Sequence, residues 1–423
     1  MMAYLEGLTD PRQTKKVLHN FIETIMLVIC AVIAGCDAWE DIADYCRVKE
    51  GWFREKLGLK LQNGIPSHDT MERVFGMLNP EEFQKRFMEW VEKSCGKQAR
   101  EVINVDGKTM RGSAGKAQKP IHMVSAWASK ARAVFGQMAV EEKTNEITAA
   151  LELLELLDIE NTIITADAMS CQKEIVKTIS EKGADYVIGL KDNQPTLCQE
   201  TRDYFVSALE TPQFYPHVNR TVTLEKGHGR TETRRYYLCT DPDFLKLYPE
   251  WINLRSVGMM KSTVIQNETT TEETHYYISS LVDVKEFADA ARRHWGIENS
   301  LHYCLDVTFR EDRSRMRRNH SAENFAVVKH IVLNILKNMN DKLSVARRRR
   351  SCSYDDAYLE KVLMAINCCE VFPAPGLCIR TNSCILCGKE KASILTCRKP
   401  CGPHLFFAGQ TRAPPERGKA WGC

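Results

Sequence analysis

Val102-Ile103-Asn104-Val105-Asp106-Gly107 and Thr162-Ile163-Ile164-Thr165-Ala166-Asp167 decide how this chain folds. Each is a short apolar, β-branched run of the kind that forms a buried strand, and each ends on an aspartate. Around them, residues 121–127 and 134–140 read as two more strands at turn-like spacing. Residues 146–157 read as an amphipathic helix, 172–181 as a second helix, and 186–190 as a strand ending on Lys191. The order is β-β-β-α-β-α-β. A three-strand meander followed by strand–helix alternation predicts an α/β fold, a mixed sheet flanked by helices.

On the N-terminal side, residues 1–100 read as helical throughout, an all-α domain. Apolar pairs recur at helical spacing through Val17, Phe21, Ile25 and Ile29. Short helices are expected over 37–46 and 49–57, and Ser67 or Asp69 and then Asn79 are positioned to cap two more. On the C-terminal side, residues 213–283 lose helical periodicity and hold four Val/Thr/Tyr-rich runs, a β-rich insertion. A long helix is expected from Val284 to about Tyr303, another over 322–339, and a last one over 354–366. The domain reading is therefore 1–100 helical, 101–212 first part of the α/β core, 213–283 insertion, 284–370 helical part of the core, and 371–423 a Cys-rich tail.

Composition narrows the class. With 43% apolar and 27% charged residues the 423-residue chain builds ordinary cores, and its 15 prolines and 23 glycines exclude collagen-like and low-complexity classes. Net charge is only +3, but residues 292–350 hold 14 Lys/Arg against 6 Asp/Glu, a footprint for a polyanion. The longest apolar run, 25–34, is ten residues, half of the roughly 20 a membrane helix needs. We read it as a buried helix of a cytoplasmic protein with no membrane partner. Of 17 cysteines, nine are scattered singly before residue 368, as free thiols in a reducing compartment are, and eight crowd the last 56 residues.

Asp106 and Asp167 close buried strands, where side chains reach the crevice in which open sheets bind ligands. Glu298 lies in the amphipathic helix after the insertion. A lone Asp after a strand is ordinarily a turn or cap residue. Three carboxylates from three distant segments meeting at one sheet edge make an all-oxygen site suited to Mg2+ or Mn2+. Two such ions, about 3.5–4 Å apart, support in-line displacement at phosphorus.

Three stretches carry a resemblance: Val105-Asp106-Gly107-Lys108 with Arg111-Gly112, Thr165-Ala166-Asp167-Ala168-Met169 with Gln172, and His294-Trp295-Gly296-Ile297-Glu298-Asn299-Ser300-Leu301-His302. Together they resemble bacterial DDE transposases of the H-repeat-associated, insertion-sequence group. Asp37-Ala38-Trp39-Glu40-Asp41-Ile42 with Gly64-Ile65-Pro66-Ser67-His68-Asp69-Thr70 resembles the helical domain associated with them. His228-Gly229-Arg230 and Tyr276-Tyr277-Ile278-Ser279-Ser280-Leu281 continue the likeness, which runs colinearly over roughly residues 8–367. The resemblance implies an RNase-H-like core. It makes Asp106, Asp167 and Glu298 the catalytic acids, holding two Mg2+ (or Mn2+) ions and not acting as nucleophiles. Water would make the first nick, and the freed 3′-hydroxyl would attack target DNA. Terminal inverted repeats and target DNA are the implied partners, and synapsis of two ends implies a homodimer on DNA. The wider clan carries Tyr and Arg seven and four residues before the helix Glu and Lys seven after; here those places hold Ala291, His294 and Leu305, and Arg293 is the candidate replacement cation.

Candidate DNA contacts are Lys108, Arg111 and Lys191 near the acids, His228 and Arg230 in the insertion, and Arg293, His294 and His302 on the helix. Arg310, Arg313, Arg315, Arg317 and Arg318 form a basic stripe, and Arg347–Arg350 read as a basic tether or a further phosphate contact. His294, Glu298 and His302, spaced i, i+4, i+8, also match a zinc spacing, although a phosphate-directed pair beside a Mg2+-binding Glu fits better. Asp306 is expected to pair with Arg310 or another cation, and Trp39 and Trp295 to be packing residues. In the tail, Cys384, Cys387, Cys397 and Cys401 match a zinc knuckle, while the Pro/Gly-rich surroundings read as unstructured translation past the usual stop. A stand-alone Mg2+ nuclease and a catalytically silent DNA-binding relic are the alternatives to a transposase.

Overall fold

β1 (Glu101–Met110) does not stop at Asp106 but runs four residues beyond it, hydrogen-bonded along its length to β2 (Ile121–Ala128). β3 (Ala133–Ala139) completes the antiparallel meander. The computed structural model describes residues 1–115, 119–140, 145–227, 229–267 and 269–367. His228 and the tail with Cys384, Cys387, Cys397 and Cys401 lie outside the described residues.

The N-terminal stretch is helical: α1 (Met2–Leu5), α2 (Phe21–Ile33), α3 (Trp39–Val48), α4 (Glu50–Leu57), α5 (His68–Met77) and α6 (Pro80–Cys95). Ser67 and Asn79 cap α5 and α6 by accepting from the backbone N–H three residues on. The apolar run at 25–34 is buried throughout within and just after α2.

After the meander come α7 (Glu146–Leu156), β4 (Thr162–Ala166), α8 (Lys173–Glu181) and β5 (Asp185–Leu190). α9 (Pro195–Glu210) follows, a helix with no counterpart in the sequence reading. β1, β4 and β5 are parallel neighbours, and β2 alone of the first five runs against them. The order β3-β2-β1-β4-β5 with that one reversal is the RNase-H-like arrangement. The β-rich residues form β6 (Val218–Gly227), β7 (Arg230–Cys239), β8 (Ser256–Gln266) and β9 (Thr269–Ser279), with the short α10 (Pro242–Leu245) between β7 and β8. They extend the same sheet, because β9 pairs antiparallel with β5 and the nine strands run β3-β2-β1-β4-β5-β9-β8-β7-β6.

α11 (Val284–Ile297) lies across this junction. Phe287, Ala288, Ala290 and Ala291 pack on Val102, Ile163, Val187, Tyr236 and Tyr277 from strands of both halves. Phe287 sits so low that a Cβ on Gly258 would stand 2.3 Å from its ring, so only glycine fits there. The helix then widens into a π-turn over Glu298–His302, where the Tyr303 N–H reaches back five residues to the Glu298 carbonyl, and resumes as α12 (Tyr303–Val307). The sequence reading has one uninterrupted helix here. α13 (Ser321–Lys337), α14 (Val345–Tyr354) and α15 (Asp356–Asn367) follow. α13 is buried along most of its length and is tied to the N-terminal helices by Asn324, whose amide donates to the carbonyls of Phe75 and Leu78 at 2.8 Å each. One apolar core runs from Leu5 through the sheet to Leu363.

Two expectations fail here. Arg347–Arg350 are not a tether; they lie in α14, and Arg348 and Arg349 are each 4% exposed. Arg349 donates to Asp37 Oδ1 (2.6 Å), Val32 O (2.9 Å) and Thr308 O (2.6 Å), with its guanidinium 4.2 Å from the Phe309 ring centre. Arg348 donates to Asp341 and to the Leu336 and Met339 carbonyls. Desolvated guanidinium groups need acceptors, and these have them. Trp39 is buried against Phe75 and Phe325 as expected, whereas Trp295 is 42% exposed beside His275.

Candidate active site

The register brings the two aspartates together. Val105 pairs with Ala166 across parallel β1 and β4, so Asp106 and Asp167 follow on adjacent strands. Asp167 leaves its strand at once, and its Oδ1 accepts from the Met169 N–H (3.0 Å) and the Ser170 N–H (3.3 Å). That cap fixes where its carboxylate points. Gly189 of β5 lies beneath the turn.

α11 is keyed to the same strands. The Ser129 hydroxyl donates to Asn104 Oδ1 (2.7 Å), the Asn104 amide to Thr165 Oγ1 (2.6 Å), and Thr165 Oγ1 lies 3.1 Å from His294 Nδ1. Because Thr165 already accepts from Asn104, its own proton is free for His294. Burial pushes the His294 imidazole down to about 4, against the pull of the Asp167 charge, so the ring is neutral and accepts. His294 thus docks the helix onto the strand beside both aspartates.

One turn later the π-turn presents Glu298 and His302. Glu298 is exposed, at 66% of its side chain, while His302 is 4% exposed overall. His302 Nδ1 is 3.0 Å from Glu298 Oε2 and 3.7 Å from Asp106 Oδ2. One ligand atom each of Asp106, Glu298 and His302 falls within 4.8 Å of the others, a grouping able to hold a metal ion. Asp167 is not in that grouping, although its charge reaches Asp106. Burial raises the Asp106 carboxyl to about 6, and the charges of Asp167 and Glu146 add to the rise against His302 and the Gly107 N–H. A cation is what this cluster of acceptors calls for, and the donor set fits a divalent ion.

The other candidates scatter. Lys108 points inward, its ammonium 2.7 Å from Asp306, 3.1 Å from Glu311 and 3.6 Å from Asp312. Asp306 therefore pairs with Lys108, not Arg310. Burial pushes the Glu311 carboxyl up, but the Lys329 and Lys108 cations outweigh that and hold it below its ordinary value. Arg111 is 81% exposed. It rides on a turn pressed against residues 311–314, where a Cβ on Gly112 would stand 2.3 Å from the Ser314 carbonyl and Arg317 Nε donates to the Gly112 carbonyl. Arg310, Arg313, Arg315 and Arg318 of the same segment are exposed and have no ion-pair partner among the described residues. Lys191 is exposed after β5. Arg230 pairs with Glu232 (2.9 Å), and Arg293 with Asp289 (2.7 Å).

Sequence reasoning missed one pair at the site. His122 Nε2 and Glu146 Oε2 are 2.8 Å apart, and both crowd Gly107, where a Cβ would stand 2.4 Å from each side chain. Glu146 reads in sequence only as the first residue of a helix; nothing local marks it.

Residues 97–335 match the family described as "Transposase DDE domain", and residues 2–91 match "DDE_Tnp_1-associated". The chain is 39% identical over 375 residues to "Putative transposase YncI" of Escherichia coli O157:H7, covering 86% of this chain and 94% of that one. It is 38% identical, also over 375 residues, to "H repeat-associated putative transposase YhhI" of Escherichia coli K12, covering 86% and 97%. A segment of 74 residues is 40% identical to "Inactive transposase YbfQ" of the same strain. No helix among the described residues is long and apolar enough to cross a membrane. A two-part match over most of the chain, on an RNase-H-like sheet, settles its kinship: the chain belongs to the DDE transposase family, with the associated domain at its N-terminal end.

Proposed function

We propose that this chain cuts and joins DNA strands as the transposase of an insertion sequence, through metal-dependent phosphoryl transfer with Asp106, Asp167 and Glu298 as the metal-holding acids. The observation that carries the reading is the convergence of Asp106 and Glu298 within 4.8 Å, with Asp167 on the adjoining strand. A pair of Mg2+ or Mn2+ ions there would lower the pKa of an attacking water or 3′-hydroxyl and stabilise the leaving oxygen.

The chain's own residues supply position. Asp167 is aimed by its two backbone donors, and Glu298 by the docking of His294 on Thr165. Arg111 with Arg310, Arg313, Arg315 and Arg318, exposed on two segments pressed together, would serve as a phosphate track, with Lys191 and Arg293 as further phosphate contacts. Lys108 holds the 306–312 segment against β1 and so sets the track's position. The substrates are terminal inverted repeats and target DNA, the acting species is a homodimer on two ends, and the place of action is the bacterial cytoplasm.

The test is incubation of full-length protein and Mg2+ with labelled element-end DNA and a target plasmid. Joined product is expected, and it should vanish in Asp106→Ala, Asp167→Ala and Glu298→Ala. Nicks without joining would make the protein a nuclease, and binding without cleavage a silent relic. Activity kept in one variant removes that residue from the site.

A further inference from the structure

His302 stands out among the polar groups left over. It is buried on the inner side of the π-turn, yet among the described residues its ring makes one polar engagement only, through Nδ1 with the Glu298 and Asp106 carboxylates. Nε2 is buried and has no hydrogen-bond partner among the described residues. The 3.0 Å separation of Nδ1 from Glu298 Oε2 matches the cis edge of an octahedron with bonds of about 2.1 Å. A ligating imidazole also needs its second nitrogen protonated and facing a polar neighbour. Nδ1 of His330 is likewise buried and has no hydrogen-bond partner among the described residues.

We infer that His302 Nδ1 is a protein ligand of the ion held by Asp106 and Glu298, making a mixed nitrogen–oxygen site that prefers Mn2+ to Mg2+. The inference rests on the reading of these acids as metal ligands. An imidazole in place of an oxygen shifts preference toward first-row transition ions, and Mn2+ is the one among them that also suits carboxylate and phosphate oxygens. Glu298 and His302 stand four residues apart on one face of the helix, within the π-turn.

The experiment uses metal-free full-length protein titrated with Mn2+ and followed by electron paramagnetic resonance, with spin-echo modulation to detect coordinated nitrogen. Wild type should show 14N modulation. His302→Ala should lose it and bind Mn2+ about 10-fold or more weakly, while Mg2+ affinity, read by competition, changes less than about 3-fold. His302→Gln, which keeps the side-chain volume, guards against misfolding and should also lose the nitrogen signal with its melting temperature retained. Modulation that persists in both variants, or Asp106-dependent Mn2+ binding without modulation in wild type, overturns the inference and leaves the acids in place. Mn2+ binding indifferent to Asp106→Asn, or no binding at all, overturns the reading beneath it as well.

Discussion

Two arginine-rich segments of this chain look alike on paper and do opposite things. Arg310–Arg318 projects four guanidinium groups into solvent with no carboxylate partner among the described residues. Arg347–Arg350, the denser run, turns Arg348 and Arg349 inward, where they satisfy carbonyls at the ends of α2, α12 and α13 and the Asp37 and Asp341 carboxylates. Charge density along a sequence therefore says little about whether a cation serves a ligand or the fold. The number of orphaned carbonyls within reach decides it.

The largest test of that contrast is Arg349→Ala. It strips Asp37 of its partner and leaves the Val32 and Thr308 carbonyls unpaired, which should cost about 3–5 kcal/mol in chemical denaturation. A loss below about 1 kcal/mol would erase the distinction between the segments. Next comes His330, held neutral because burial pushes its pKa to about 4. In the unfolded chain it takes up a proton near pH 6.5. Its stabilisation is thus present above about pH 6.5 and lost as pH falls toward 4, up to roughly 3 kcal/mol. His330→Phe should flatten that part of the stability–pH curve.

Lys108→Met sharpens the comparison from inside the site. Leaving Asp306, Glu311 and Asp312 without this cation should destabilise by about 2 kcal/mol, whereas Arg111→Ala, three residues on, should stay within about 0.5 kcal/mol. Smallest in stability is the quadruple Arg310→Ala, Arg313→Ala, Arg315→Ala, Arg318→Ala, near zero in denaturation. Its effect should appear instead as a drop of about 3 to 4 in the slope of log affinity for DNA against log salt. An unchanged slope would take the track off the DNA.

Much of this was legible in sequence because strands buried on both faces leave a plain apolar signature. β1, β4 and β5 announce themselves, and so does Asp167 at the end of β4, whereas Asp106 reads as a strand end although β1 runs on to Met110. A cap was equally plain at Asn79, while Ser67 and Asp69 stood as alternatives of which the structure uses Ser67. What escaped notice depended on partners far away. Lys108 looks like a phosphate ligand until Asp306 and Glu311, some two hundred residues on, are seen around it. Glu146 reaches Gly107 only through the packing of α7 on the sheet. α9 has weak amphipathicity, with its buried side a few residues such as Leu197, Thr201 and Phe205. The π-turn has no compositional mark, since any helix-forming residues accept it.

That turn makes length, more than residue identity, the vulnerable quantity between Ile297 and Tyr303. A π-turn is a regular helix that has absorbed one surplus residue. Excising Asn299 would close the bulge into regular helix, and everything downstream would keep close to its present facing, because the turn had taken up that residue. Asp306 would still meet Lys108, whereas Glu298 and His302 would stand three residues apart and lose the spacing that sets Nδ1 3.0 Å from Oε2. The surplus residue works as a shim, altering the site while leaving the helix beyond it in place.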